Sequence, residues 1–475
     1  MNIVETIRRE TAEHADRTAV IEGDLALSYR ALLAAVEQVA AALGDAGIQR
    51  ADRVAFLCED STDYVIGSLA ILSLSAVVVP ISPSLMKDET EAVLDRIDVH
   101  ALLFDTTAHE RSHAQPLAAG GFVGKQFGLW KRRARNDLPA DYPELNPAFI
   151  RFSSGTTGTS KGIVLSHESI VDRTDAADRG LGVTEDDVVL WVLSMSFHFV
   201  VSILLFLRRA ATIVLCHEPF PESLLAATRQ RRGTLIYASP FHYHVLANSP
   251  AVSRADLASV RLAISTAMKL SPEIAAAFSQ KFGFELAEAY GIIEVGLPFV
   301  NQQAHTAKRG SVGRALPDYQ LRIADADPAG IGRILIRGKG MFDAYFSPWQ
   351  LRDEALQDGW FATGDVGRID EDGYLFIVGR EKIVINFAGM KIFPYEVEEV
   401  VNQHPAVLES LVYATPHPRY GQLPCAKVVL KPGAAKPSAD ELRRFCFAHL
   451  PAYKVPKEFA FVAEIEKTAS GKLKR

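Results

Sequence analysis

Seven short apolar runs, most of them rich in β-branched residues, recur through the first part of the chain. They are VAFLC from Val54, AVVVP from Ala76, ALLFD from Ala101, VVLWVL from Val188, TIVLC from Thr212, TLIYAS from Thr234 and VRLAIS from Val260. Each is too short for a helix, and helix-like segments separate them. A strand that is apolar along its whole length is buried on both faces, so this alternation dictates parallel sheets covered by helices. A Pro-rich, polar stretch from Asn136 to Pro147 divides two such blocks. From Gly310 to Ile377 the pattern changes to short strands punctuated by glycine (SVGRALP, YQLRIAD, GRILIRG, GYLFIVG), as in a small barrel or sandwich. After Gly379 comes a compact α+β segment, with helices near Pro394 to His404 and Ser438 to His449. At 475 residues the chain fits two or three domains rather than one core.

Two uncharged stretches, Tyr64 to Met86 and Val188 to Leu207, approach the length of a membrane span. The first breaks into a helix and the strand AVVVP. The second is split at SMSFH, Ser194 to His198, between a strand and a helix, so buried helix–strand units explain both and no membrane span is expected. The N-terminal MNIVETIRRETAEHADRTAV is charged throughout and lacks the apolar core of a signal peptide. The four cysteines, Cys58, Cys216, Cys425 and Cys446, have no CxxC spacing, so a reducing cytoplasmic location is the expectation. A net charge of −6 argues against a dedicated nucleic-acid binder, which needs a basic face. The local basic cluster Lys131, Arg132, Arg133 and Arg135 reads as a solvated loop, with the phosphates of a large acidic cofactor as the alternative partner.

Between the strand-like AFI (Ala148 to Ile150) and GIVL (Gly162 to Leu165) lies FSSGTTGTSKG. Glycines let a backbone turn its N–H groups toward an anion, Ser and Thr hydroxyls add donors, and Lys161 adds a point charge. This reads as a phosphate cradle, with a solvent-exposed Ser/Thr/Gly turn as the alternative that composition alone favours. It is not the mononucleotide-binding GxxxxGK[ST] loop, which needs glycine where Ser160 stands.

The order SSGTTGTSKG closely resembles the phosphate loop of the adenylate-forming superfamily of acyl-CoA synthetases, peptide-synthetase adenylation domains and luciferases. The likeness runs nearly end to end and is strongest to acyl- or aryl-CoA ligases. It implies an α/β fold in which a large N-terminal domain, residues 1–379, contains two doubly wound sheet subdomains and a β-barrel part at about 310–377. A small mobile α+β lid, residues 380–475, would come after a hinge near 380–383. Within the loop the resemblance implies that Ser153, Ser154, Gly155, Thr156, Thr157, Gly158 and Lys161 bind the phosphates of ATP. Thr156 and Lys161 would act in catalysis, and Thr157 would face Mg²⁺.

AEAYGIIEVG, Ala287 to Gly296, resembles the segment in which an aromatic ring stacks on adenine and a glutamate holds Mg²⁺, roles that fall to Tyr290 and Glu294. An aromatic face suits a nucleobase, and a carboxylate oxygen is a hard ligand suited to Mg²⁺. The family usually carries Thr just before this Glu, with its hydroxyl on the α-phosphate; this chain has Ile293. GWFATGDVGRID, Gly359 to Asp370, resembles the ribose-binding segment, with Asp365 accepting from both hydroxyls. In GREKIVINFAGMKIFPYEVEEV, Arg380 would reach the ribose and Lys382 is the hinge residue. Gly389 would line the tunnel for a pantetheine thiol, where a missing side chain leaves room. The closing KTASGKLKR supplies Lys472, which in the family bridges the substrate carboxylate and the α-phosphate, a positioned cation on a moving lid.

The resemblance places His198 at the border of acid and nucleotide. The other pocket walls are expected from Val201, Tyr237, Ser265, Thr266, Ala267, Gly291, Val295 and Gly296, surroundings without a carboxylate for an ammonium group. His242 and His244 would share a face if they lay on a strand and so could bind a metal; packed or helix-capping histidines are the other reading. The activity implied is an ATP- and Mg²⁺-dependent ligase that activates an aryl or fatty carboxylic acid as acyl-adenylate and passes it to coenzyme A. Transfer to an acyl carrier protein, a luciferase-like oxygenase and a catalytically inactive nucleotide-binding module are the alternatives. The oligomeric state stays open, a homodimer included.

Overall fold

The computed structural model describes residues 1–132, 138–152, 161–302, 308–467, 473 and 474. Two large mixed sheets carry the N-terminal half. In the first, the strands Pro147–Phe152, Val77–Ile81, Arg53–Leu57 and Ala101–Asp105 run parallel in that order. Antiparallel strands close both flanks, to nine in all among the described residues. In the second, Ala287–Ile292, Leu262–Ser265, Leu235–Ala238, Val188–Trp191, Thr212–Leu215 and Thr18–Glu22 are parallel, with an antiparallel strand at each edge. All seven apolar runs form strands of these two sheets. Arg53–Leu57 and Ala101–Asp105 are buried at every residue, as strands covered on both faces must be. The helix Thr62–Ser73 is apolar around its circumference and buried from Thr62 to Leu72, the fate of a helix without a polar face. Serines start several helices: Ser61 and Ser166 accept from Tyr64 N and Ser169 N.

The two long uncharged stretches resolve into helix Thr62–Ser73 with strand Val77–Ile81, and strand Val188–Trp191 with the helical segments from Met195 to Arg208. Among the described residues no helix is long and apolar enough to cross a membrane. All four cysteines are free thiols.

The glycine-punctuated segment supplies a four-stranded sheet in the order Tyr319–Ala324, Gly332–Gly338, Phe361–Ile369, Leu375–Arg380. A further sheet is built on the long hairpin Val407–His417 and Gly421–Leu430, with the helices Pro394–Asn402 and Ala439–Phe447 beside it. The chain divides into two compact units: Met1–Gln320 with Arg337–Gly359, and Leu321–Ile336 with Trp360–Arg475. This division falls earlier than residue 379. The strands Gly332–Gly338, Phe361–Ile369 and Leu375–Arg380 hydrogen-bond to one another, so the small sheet belongs mainly with the C-terminal unit.

A buried histidine near the N-terminus makes the first unit acid-sensitive. His167 has no exposed surface; its Nδ1 accepts from Ile3 N at 3.1 Å, and Nε2 is buried without a partner among the described residues. Burial lowers its pKa to about 4. An unfolded histidine takes up its proton near pH 6.5. Between there and pH 4 the unfolded state holds more protons, so stability falls as pH drops, by about 3 kcal/mol in total. In urea unfolding at pH 7, 5.5 and 4.5, His167→Asn should remove that part of the slope. An unchanged pH dependence in the variant would refute this account.

Candidate active site

The strands Pro147–Phe152 and Gly162–Ser166 form an antiparallel hairpin, with Phe152 opposite Gly162 and Arg151 opposite Ile163. The glycine- and hydroxyl-rich residues 153–160 connect these two strands in sequence. Ser153, Ser154, Gly155, Thr156, Thr157, Gly158 and Lys472 lie outside the described residues. Lys161, where the chain re-enters the sheet, places Nζ 4.1 Å from the ring centroid of Tyr345. Tyr345 sits on the strand Ala344–Phe346, paired to Gly162–Ser166. Burial raises its phenol, and the charge of Glu294 raises it further. Lys161 and Glu294, 133 residues apart in sequence, thus both act on one ring.

Glu294 occupies the turn between Ala287–Ile292 and Gly296–Asn301. That turn is held from outside. Arg173, fully buried on the helix His167–Leu181, donates through Nη1 to the Ile293 carbonyl at 3.0 Å and through Nε to the Gly340 carbonyl at 2.8 Å. The Glu294 carbonyl accepts from Phe342 N at 2.7 Å. Burial lowers the Arg173 guanidinium to about 10, with Tyr319, Asp343 and Glu294 opposing the drop. Among the described residues no group of three or more His, Cys, Asp and Glu could hold a metal ion. A single carboxylate at the site still fits Mg²⁺ that arrives with a triphosphate, because that ion keeps waters and phosphate oxygens as its remaining ligands.

Tyr290 lies on Ala287–Ile292, its ring centroid 6.0 Å from that of Phe299. Of the expected acid-pocket residues, His198 ends the short helix Met195–His198, and Val201 lies in the adjoining π-helical turn Phe199–Ile203. Both are partly exposed. A π-turn widens a helix locally and often marks a working site. Trp191 stacks on Tyr237 at 5.8 Å and meets His198 edge-on at 6.3 Å. Tyr237 is buried, which raises its phenol, and the Thr266 and Ser202 hydroxyls oppose that rise. Ser265 and Thr266 are buried at the end of Leu262–Ser265, and Ala267 has φ +71°, a left-handed conformation uncommon for a residue with a side chain. At Gly291 a Cβ would stand 2.3 Å from the Gly296 carbonyl oxygen. Val295 and Gly296 are placed differently. Val295 is fully buried, and a Cβ on Gly296, at φ +98°, would meet Tyr319 Oη at 3.0 Å and Arg173 Cβ at 3.4 Å. Substitution at Gly296 therefore strains packed interior.

In the second unit Asp365 and Arg380 face each other across Phe361–Ile369 and Leu375–Arg380, and Arg380 Nε lies 2.8 Å from Asp365 Oδ1. The carboxylate is nearly buried while the guanidinium is half exposed. Lys382 is exposed in the single turn Glu381–Ile383. Gly389 has φ +84° between Ile385–Phe387 and Met390–Ile392, and no atom of the described residues lies within 4 Å of where its Cβ would be. Glycine is required there by backbone conformation as well as by any need for room. His242 and His244 lie on the helix Pro240–Asn248 rather than on a strand, and His242 Nδ1 bonds the capping Ser239 Oγ at 2.8 Å. Sequence reasoning passed over Arg151, Arg173 and Tyr345. A charged residue inside the apolar strand PAFIRF was the one available signal.

Residues 7–346 match the family model of AMP-binding enzymes, and residues 396–472 that of the AMP-binding enzyme C-terminal domain. A feruloyl-CoA synthase from Amycolatopsis sp. is 30% identical over 484 residues, 98% of this chain and 96% of that protein. An indoleacetate–CoA ligase from Aromatoleum aromaticum is 29% identical over 504 residues, covering 100% and 97%. The crystal structure of ATP-bound MatB from Rhodopseudomonas palustris superposes with a TM-score of 0.85 at 25% identity, over 100% of this chain and 97% of that one.

Proposed function

The chain belongs to the AMP-binding enzyme family, and on that premise we propose that it is an AMP-forming carboxylic acid–CoA ligase. The observation that supports the reading most is Lys161 beside the Tyr345 ring, a ring that the charge of Glu294 also reaches. A carboxylate oxygen of the acid attacks the α-phosphorus of ATP, the bond to pyrophosphate breaks, and acyl-adenylate forms. The thiol of coenzyme A then displaces AMP to give the thioester. Ser153, Ser154, Gly155, Thr156, Thr157, Gly158 and Lys161 bind phosphate, Tyr290 stacks on adenine, and Asp365 with Arg380 takes the ribose. Glu294, with Thr157, would hold Mg²⁺, which would neutralise phosphate charge when bound. Lys472 supplies the cation for adenylation from a lid at 380–475 that turns about Lys382, and Gly389 leaves room for the pantetheine arm. A reducing, cytoplasmic setting belongs to the same reading and is supported by the four free thiols.

The acid is apolar, aryl or fatty. Its support is the surroundings of His198: Trp191, Phe197, Phe199, Val200, Val201 and Tyr237. An ammonium group left unpaired there costs several kcal/mol in desolvation. Pyrophosphate release measured across aryl, fatty and amino acids at equal concentration should rank amino acids last. Discrimination among apolar acids should be shallow, roughly 1–3 kcal/mol per methylene. Substitution at Val201 should reorder the apolar acids. An amino acid at the top of the panel would sink the substrate assignment and favour loading of a carrier protein, and no acid-dependent release at all would sink the ligase.

A further inference from the structure

The short helix Met195–His198, which carries the expected acid-pocket wall, is held at both ends by ionisable side chains, Asp60 from the loop after the strand Arg53–Leu57 and Arg151 from the strand Pro147–Phe152. At its start Asp60 Oδ1 accepts from Met195 N at 2.8 Å. At its end Arg151 Nη1 donates to the Phe197 carbonyl, and the Arg151 Cζ stands 5.2 Å from the Phe197 ring centroid. Ile150 belongs to the apolar core, so strand alternation turns Arg151 to the opposite face. One carbonyl uses one of the five N–H donors of a guanidinium, and Arg151 Nε is buried with no partner among the described residues. Burial lowers the group to about 10 against the pull of Glu294 and Tyr64, so it stays a cation at neutral pH. A cation in these surroundings with a donor unsatisfied is poorly compensated, and an anion would complete it.

We propose that Arg151 binds an oxyanion of the reacting pair, either a carboxylate oxygen of the acid or an α-phosphoryl oxygen of the nucleotide. The inference rests on the ligase reading. Arg151 stands two residues before the phosphate loop, touches the residue next to His198 and lies within the field of Glu294. Acid and nucleotide meet in that neighbourhood. Ile293 contributes no hydroxyl there, and its carbonyl is already taken by Arg173. As the carboxylate oxygen bonds to phosphorus and the bond to pyrophosphate breaks, negative charge moves onto oxygens at the reacting centre. A guanidinium with N–H donors to spare matches such oxygens in both charge and shape.

The test is ATP–pyrophosphate exchange with Arg151→Gln, Arg151→Lys and Arg151→Met. Gln keeps a donor for the Phe197 carbonyl but carries no charge. Gln and Met should each lower kcat/KM about 10²-fold, the scale of one lost donor at a reacting centre. Lys should do markedly better than either, and added guanidinium ion should restore part of the Met variant's activity without accelerating the wild type. Calorimetry separates the two sources. A raised Kd for the acid alone assigns the carboxylate, whereas a raised Kd for ATP alone assigns the phosphoryl oxygen. An unchanged Kd for both with a lowered kcat places the contact in the transition state. Wild-type exchange by Arg151→Gln would overturn the proposal and leave Arg151 as a brace for the helix. Equal loss in all three variants without guanidinium rescue would overturn it too, in favour of a packing role. If the Met variant does not fold, the Gln and Lys variants decide alone. An active wild type with an unaffected Gln variant removes only this inference; a wild type without acid-dependent exchange removes the ligase reading and this with it.

Discussion

Glu294→Gln should lower adenylation by a factor on the order of 10²–10³, as expected when one electrostatic group at a reacting centre is lost. The substitution keeps the side chain's length and changes only its charge. Because the turn is held through the Ile293 and Glu294 carbonyls, which the amide leaves untouched, the backbone should keep its place. The loss should therefore appear in pyrophosphate release and in the Mg²⁺ concentration needed for half-maximal rate, with circular dichroism and melting temperature close to wild type. Arg151 and Arg173 both feel the Glu294 charge and would lose part of their compensation. A variant with wild-type kcat at low Mg²⁺ would show that the metal is held elsewhere.

The largest loss of stability should result from Gly340→Ala. Gly340 has φ +68°, and a Cβ there would stand 2.3 Å from the backbone nitrogen and 2.5 Å from Cα of Arg173. Those atoms are in the middle of the helix His167–Leu181 and cannot step aside as a side-chain tip would. Backbone strain alone accounts for about 1–2 kcal/mol. With the clash added the total should exceed about 4 kcal/mol, a size reserved for a few mechanisms. Gly23→Ala is the control, since Gly23 shares the left-handed backbone at φ +57° but has nothing within 4 Å of the new atom. Urea unfolding of the two variants separates strain from collision. Equal losses would mean that the helix and the 340 segment part easily, and that Arg173 does not clamp them.

Much of this architecture could be read from local pattern, because parallel strands buried on both faces have to be apolar throughout. VAFLC and ALLFD are strands for that reason. The hairpin around the phosphate loop was legible from two apolar runs flanking a glycine-rich tip. His242 and His244 show a local signal that was available: Ser239 before Pro240 is a helix start, with a capping hydroxyl ahead of a proline in the first turn. The contacts that position Glu294 were not legible. Arg173 reaches Ile293 across 120 residues and Gly340 across 167. Neither periodicity nor motif spacing encodes a side chain that serves a carbonyl so far along the chain. Arg151 was partly visible as a charge inside an apolar strand, but which carbonyl, ring and carboxylate surround it is settled by topology.

The first compact unit is not continuous in sequence: it closes with Arg337–Gly359, after the chain has left at Gln320. This late segment contributes the strands Ala344–Phe346 and Trp349–Leu351 to the edge of the nine-stranded sheet, together with Tyr345, Phe342 and Gly340. A polypeptide still being synthesised therefore has its phosphate loop long before it has the ring beneath Lys161 or the backbone that fixes the Glu294 turn. Until residue 346 has emerged, the strand Gly162–Ser166 is an open edge, the kind of template to which foreign strands add. Its natural cover arrives about 180 residues later, so this edge stays unpaired while the strands between Val188 and Asn301 are being made.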